Sequence, residues 1–367
     1  MDGHHPAFSA RNNTDSPQDT DLKGNEAKGL EQLVNGGHLN ARQRDALAPV
    51  AAQFGVAITP QMLDLIDPEN PLDPIAAQFV PDLRELETAP EELRDPIGDH
   101  AHSPVTGIIH RYPDRVLLTP LLVCPVYCRF CFRREDVGQQ PLLTDEQLDK
   151  AIQYIRDNKN IWEVILSGGD PLILSPRRLE KILKALHNID HVKVLRIHTR
   201  VPVVSPTKIS AELIRVLKAA NPLYVVIHSN HAQEFSSEAK SACARLADAG
   251  LPLLSQSVLL KGINDDAGTL TELMRLLVEL RIKPYYLHHA DQARGTGHFR
   301  TSLKAGQELI STLRGNVSGL CQPQYILDIP GGYGKTPVSP DWVTSQADGS
   351  YEICDFRGER HHFEDKA

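Results

Sequence analysis

The chain has 367 residues, 41% hydrophobic and 23% charged, which is ordinary globular usage and excludes bulk disorder. With 39 Lys and Arg against 47 Asp and Glu the net charge is -8, so the surface field repels polyanions and a nucleic-acid partner is not expected. No run approaches the ~18 apolar residues of a membrane span, and the start MDGHHPAFSARNNTDSPQD lacks an apolar signal core, so neither a membrane nor a secreted location is expected.

Residues 1–38 are rich in Asp, Asn, Gly, Ser and Gln and are expected to form a loose tail. From 39 to 110 the apolar groups are punctuated by Pro60, Pro68, Pro71, Pro74 and Pro81, which predicts short broken helices. From Val116 onward, short apolar runs alternate with amphipathic segments. The runs are Val116–Val123, Glu163–Leu166, Val194–Ile197, Tyr224–Ile227, Leu253–Leu260 and Pro284–Leu287. Each is the length of a buried strand, and the intervening helices have readable starts, with a capping box at Thr144 and Gln147, and Ser175 before Pro176. Six β/α units predict a partial (β/α)6 barrel over 111–300, with function at the strand C-termini. A further segment, 301–367, contains a helix near Ser302–Arg314, the apolar run Tyr325–Ile329 and the glycine-rich Gly331-Gly332-Tyr333-Gly334-Lys335.

Three of the six cysteines, Cys124, Cys128 and Cys131, lie within eight residues just after the first strand of the barrel. This usage predicts a metal centre in a reducing, cytoplasmic setting rather than a disulfide scaffold. Structural zinc takes four closed ligands, commonly two paired motifs. No second pair exists here: Cys243, Cys321 and Cys354 are isolated, and His191 and His198 lack ligand spacing to the loop. Three thiolates from one loop instead suit a [4Fe–4S] cube with one iron left open.

The C-x3-C-x2-C spacing resembles the radical S-adenosylmethionine (SAM) superfamily. That resemblance implies that the amino and carboxylate groups of SAM chelate the open iron, and that Ser167, Gly168 and Gly169, ahead of Asp170, contact its amino group. The segments HRYPDRVLL, CRFCFRR, SGGDPL, QSVLLKGIND, PYYLHHAD, GHFRT and YILDIPGGYGKTP resemble the lysine 2,3-aminomutases over most of the chain from Arg111 to Pro340. The glycine-rich stretch ending in Lys335 is not a Walker loop, because Ile329 stands where that motif needs glycine. The resemblance implies that pyridoxal 5′-phosphate (PLP) is linked to Lys335, with its phosphate near Arg111, Tyr112 and Arg115 and with Gln256 and His228 in the same pocket. On the residues alone, His231 competes with His228 for that place. Paired guanidinium donors suit a phosphate.

The same resemblance assigns a substrate carboxylate to Arg133 and a distal ammonium to Asp291 and Asp328, which predicts a cationic amino acid such as lysine, with arginine and ornithine as neighbours. The implied activity is a 1,2-amino shift giving a β-amino acid, driven by an electron donor such as flavodoxin or ferredoxin. Two rivals are an enzyme supplying β-lysine to a translation elongation factor and a non-enzymatic iron–sulfur or zinc module; the PGGYGK segment is closer to the enzymes acting on free lysine. Asp266 stands where longer family members have a further cysteine, and their C-terminal cysteine cluster is lacking, so no intersubunit zinc and at most a homodimer are expected.

Overall fold

The computed structural model describes residues 28–138, 142–220 and 222–365. Residues 1–27 of the expected tail lie outside this set. The tail does not run to residue 38: residues 28–35 are helical, with Leu30 and Leu33 buried. Their i, i+3 spacing provides an apolar stripe, and both join the main core.

The region ahead of the barrel is broken as its prolines dictate. Helix α1 (Ala41–Phe54) is closed by an Asn40/Gln43 capping box, and one-turn helices follow at Pro60–Leu63 and Pro74–Phe79, each with proline at its start. Nine strands form one sheet in sequence order. They are β1 (Ile108–Tyr112), β2 (Arg115–Leu118), β3 (Glu163–Leu166), β4 (Val194–Thr199), β5 (Leu223–His228), β6 (Leu253–Leu259), β7 (Ile282–His289), β8 (Gln324–Ile329) and β9 (Gly334–Pro337). From β2 to β8 all pairings are parallel, whereas β1 and β9 pair antiparallel to their neighbours. Helices α2 (Asp145–Asp157), α3 (Pro176–His187), α4 (Ala211–Lys218), α5 (Ser237–Asp248), α6 (Ala267–Glu279) and α7 (Leu303–Asn316) fill the six crossovers. The Thr144 and Ser175 caps form as expected.

The six β/α units are therefore present, and the sheet continues past residue 300 through β8 and β9, which the 111–300 boundary cut off. The first parallel strand is shorter than Val116–Val123. Pro120 has no N–H to donate to a ladder, and Leu121 and Val123 give their carbonyls to Gly169 and Asp170 instead. Among the described residues no helix is long and apolar enough to cross a membrane.

Alternation along the strands divides the two faces. Leu166, Ile197, Val225, Ile227, Leu287 and Tyr325 belong to the core packed under the helices. The residues between them, including His198, His228, Gln256, His288 and Asp328, fall on the opposite, inner face. Strands β1 and β9 are the two edges of the sheet. They do not pair, but the Lys335 backbone N–H donates to the Tyr112 hydroxyl at 2.7 Å, so the barrel is nearly closed. A separate three-stranded sheet, β10 (Val343–Ser345), β11 (Tyr351–Cys354) and β12 (Arg360–Phe363), follows.

Candidate active site

The three cysteines occupy one irregular loop after β2 and are all free. Two glycines hold this loop against the end of β3. A side chain on Gly169 would stand 2.3 Å from the Val123 carbonyl oxygen, and Gly168 sits at φ +102° against Thr119, so both positions require glycine. The Asp170 carboxylate accepts from the backbone N–H groups of Leu172, Arg200 and Val201 and from the Thr199 hydroxyl, which locks the Ser167–Asp170 turn to the end of β4. Burial, with Asp170 and the neighbouring sulfurs adding to it, pushes the Cys124 thiol well above its ordinary value; burial and Cys128 push Cys131 up to about 11. Thiolates in this loop therefore need strong positive charge beside them, as metal ions provide. Among the described residues the three sulfurs do not form a set within 4.8 Å of one another.

Cysteine chemistry is backed by a buried polar frame. Arg200 donates to Cys128 Sγ at 2.8 Å, to Gln78 Oε1 and to Glu234 Oε2. Behind the loop, Arg129 and Arg134 both pair with Glu85, which is fully buried, and Arg129 also donates to the Gly55 carbonyl. Arg134 reaches the Gly295 carbonyl in the segment after β7.

On the other side of the barrel mouth, Lys335 lies within β9 opposite Asp328 in β8, and its Nζ donates to Asp328 Oδ1 at 2.8 Å. His288 Nδ1 lies 3.6 Å from the other carboxylate oxygen, and Arg111 Nη1 3.9 Å from Oδ1. Burial raises the Asp328 carboxyl, but His288 and Lys335 outweigh it and hold it well below the usual carboxylate range. Asp291 shows the reverse. Burial, aided by the negative charge of Asp328, pushes it up to about 7 against the opposing pull of Lys335 and Arg133. Lys335, Asp291, Asp328 and Arg133 thus share one electrostatic cluster, and Arg133 in turn acts on Cys131.

Arg111 belongs to β1 and Arg115 to β2, and their guanidinium groups have different partners. Arg111 donates to the Ile97 carbonyl and to Asp99, while Arg115 lies 3.8 Å over the Tyr112 ring and pairs with Asp114. His228 stacks on Phe130, 5.7 Å between centroids, which ties the inner face of β5 to the cysteine loop. Burial, with Arg200 and His288, holds its imidazole well below the ordinary value. Gln256 is the register partner of His228 on β6. His231 instead caps the turn Ala232–Glu234 through Nδ1, and Asp266 caps α6.

Two inward groups had no motif to announce them, His198 on the inner face of β4 and Asp99, whose carboxylate joins Arg111 to Arg133; His288 on β7 lies within PYYLHHAD but has no role in the sequence reading. The buried Nε2 atoms of His198 and His228 and the Nε of Arg111 have no hydrogen-bond partner among the described residues. A barrel mouth with unpaired buried donors and acceptors, one amine and a three-thiol loop fits a polar organic cofactor and an iron–sulfur cluster.

The comparisons agree with this geometry. The family model for the radical SAM superfamily matches residues 118–274, and the model for lysine-2,3-aminomutase matches residues 310–363. The L-lysine 2,3-aminomutase of Clostridium subterminale is 43% identical over 335 residues, covering 91% of this chain and 80% of that one. That of Acetoanaerobium sticklandii is also 43% identical over 335 residues, covering 91% and 81%. The glutamate 2,3-aminomutase of Clostridioides difficile is 39% identical over 329 residues, covering 89% and 78%. On the cysteine loop, the lysine strand and these relatives together, the chain belongs to the lysine 2,3-aminomutase family of radical SAM enzymes.

Proposed function

We propose that the enzyme moves the α-amino group of L-lysine to the neighbouring carbon, giving β-lysine, with a [4Fe–4S] cluster, SAM and PLP as cofactors. The observation that carries the substrate is the pair Asp291 and Asp328 beside Lys335, facing a site that also holds Arg133. A distal ammonium relieves the repulsion between two buried carboxylates, and Arg133 receives the carboxylate at the other end. A glutamate substrate would add a third carboxylate to that end of the site.

When bound, the cluster with SAM supplies a hydrogen-abstracting radical, and PLP supplies a conjugated system across which nitrogen passes between adjacent carbons. Cys124, Cys128 and Cys131 would hold three irons, and the Ser167–Gly169 turn, whose Ser167 and Gly169 N–H groups are bonded to Leu118 and Leu121, would offer its carbonyl oxygens to the SAM amino group. Lys335 would hold PLP through its Nζ. Arg111, Tyr112 and Arg115 would receive the phosphate, with Arg111 contributing its unpaired Nε. His228 and Gln256, register partners on β5 and β6, would line the same pocket. The residues' work is to hold the reacting carbons still and keep water out. The three thiols need a reducing compartment, so we place the enzyme in the cytoplasm, where a flavodoxin or ferredoxin can deliver the electron.

The test is product analysis. Reduced enzyme with SAM is incubated with lysine, ornithine, arginine and glutamate, and products are resolved by chiral chromatography. Lysine is expected to be converted fastest; conversion of glutamate ahead of lysine overturns the substrate assignment. Lys335→Ala is expected to lose the borohydride-fixed PLP label and the activity together.

A further inference from the structure

Asp99 lies in the segment 93–102, which bridges to Ala293 at Leu93, ends in the single 3-10 turn His100–His102 and crosses the barrel mouth. The Leu93 N–H donates to the Gln292 carbonyl, beside Asp291, and the Gly331 N–H donates to the Pro96 carbonyl. A side chain on Gly98, at φ +66°, would stand 2.8 Å from the Gly332 backbone, and His102 Nε2 lies 3.1 Å from the Gly332 oxygen. The strap therefore rests directly on the glycines that lead to Lys335. From it, the Asp99 carboxylate reaches two arginines at once. Oδ1 accepts from Arg111 Nη2 at 2.9 Å; Oδ2 accepts from Arg133 Nε at 2.8 Å and stands 2.7 Å from Arg133 Nη2. All three side chains are about nine-tenths buried or more.

We infer that Asp99 is a positioning residue for substrate selection: it fixes the Arg133 guanidinium by its Nε and Nη2 edge, leaving the Nη1 side aimed at the α-carboxylate of an amino acid, at a set distance from Arg111. This rests on the reading of Arg133 as the carboxylate-binding group. The physical need is plain. Two buried cations, one on β1 and one on the cysteine loop, repel each other, and an arginine side chain without a second anchor has several rotamers from which to choose. A shared carboxylate removes both problems, and it does so from the strap that also supports the lysine loop. Asp99→Asn turns an acceptor into a donor facing a donor, so it releases one arginine while keeping the volume.

The experiment uses cluster-reconstituted, PLP-loaded protein kept unreduced, so that nothing turns over. L-Lysine and 1,5-diaminopentane, which lacks the carboxylate, are titrated while the PLP absorption band is followed, in wild type, Asp99→Asn, Asp99→Glu and Arg133→Gln. Charged hydrogen bonds of this kind are worth ~1.5–3 kcal/mol, so Asp99→Asn should weaken lysine about tenfold or more and leave the diamine within about twofold. Asp99→Glu, which retains the charge and shifts it by one methylene, should lose part of the preference. The double variant Asp99→Asn/Arg133→Gln should discriminate no worse than Arg133→Gln alone. If Arg133→Gln abolishes the preference and both folded Asp99 variants keep it, the inference fails and the reading of Arg133 stands. Equal weakening of both ligands in Asp99→Asn also overturns it, as a merely structural role. If Arg133→Gln leaves the preference intact, the reading of Arg133 itself is wrong and the inference falls with it.

Discussion

Asp291 and Asp328 are chemically identical side chains that the site drives in opposite directions. Asp328 has an amine and an imidazole beside it and stays ionised; Asp291, buried and facing that charge, rises to about 7. Cation binding needs the ionised form, so affinity for lysine in the unreduced holoenzyme is expected to rise as pH increases through about 7. Asp328→Asn removes the opposing charge and should move that limb to lower pH; a spectrophotometric titration series at several pH values checks both. Stability runs the other way. The folded-state value of Asp291 lies above the ~3.9 of an unfolded aspartate, so its contribution is fully present below that value and is lost as pH rises through about 7. Asp291→Asn should therefore raise the Tm of the apoprotein near pH ~8 and change it little near pH ~4. At this scale the sequence offered candidates where a spaced motif marks them, as at Cys124, Cys128, Cys131 and Lys335. Asp99 and His198 gave no such signal, because what makes them notable is the partner or the missing partner that folding assigns, and an aspartate in Asp-Pro-Ile-Gly-Asp reads as an ordinary loop residue.

The strands were readable from their apolar runs because parallel strands are buried on both faces. Two elements escaped. The antiparallel β1 has only Ile108 and Ile109 to mark it, and β9 contains no apolar residue but Pro337, being held by the ladder to β8 rather than by burial of its own side chains. Helix 28–35 was hidden in a polar composition, since two leucines suffice when an apolar neighbour awaits them. The cysteine loop depends on an element the sequence did not reveal, the Glu85 turn that pairs with both Arg129 and Arg134. Glu85→Ala leaves two buried cations uncompensated, which by analogy with other buried pairs destabilises by ~3–5 kcal/mol. Urea unfolding should show that loss. Iron content after anaerobic reconstitution should fall too, since the same arginines flank Cys131.

As a whole, the molecule has a main core from Leu30 to Tyr325, a small second cluster of Leu260, Ile263, Ala290 and Phe299, and a sheet that stops one pairing short of closure. The order of β/α units predicted that architecture, but not where the sheet ends, because the final strands follow a helix and a long loop rather than the preceding rhythm. Tyr112→Phe removes the hydroxyl that accepts from the Lys335 N–H. A neutral hydrogen bond contributes ~1 kcal/mol, so amide exchange across 331–337 should speed up about fivefold, with exchange in β3–β6 unchanged.

Because no ladder joins the two edge strands, opening the corner between them would break the Tyr112, Pro96 and His102 contacts to the lysine loop and would unzip no strand.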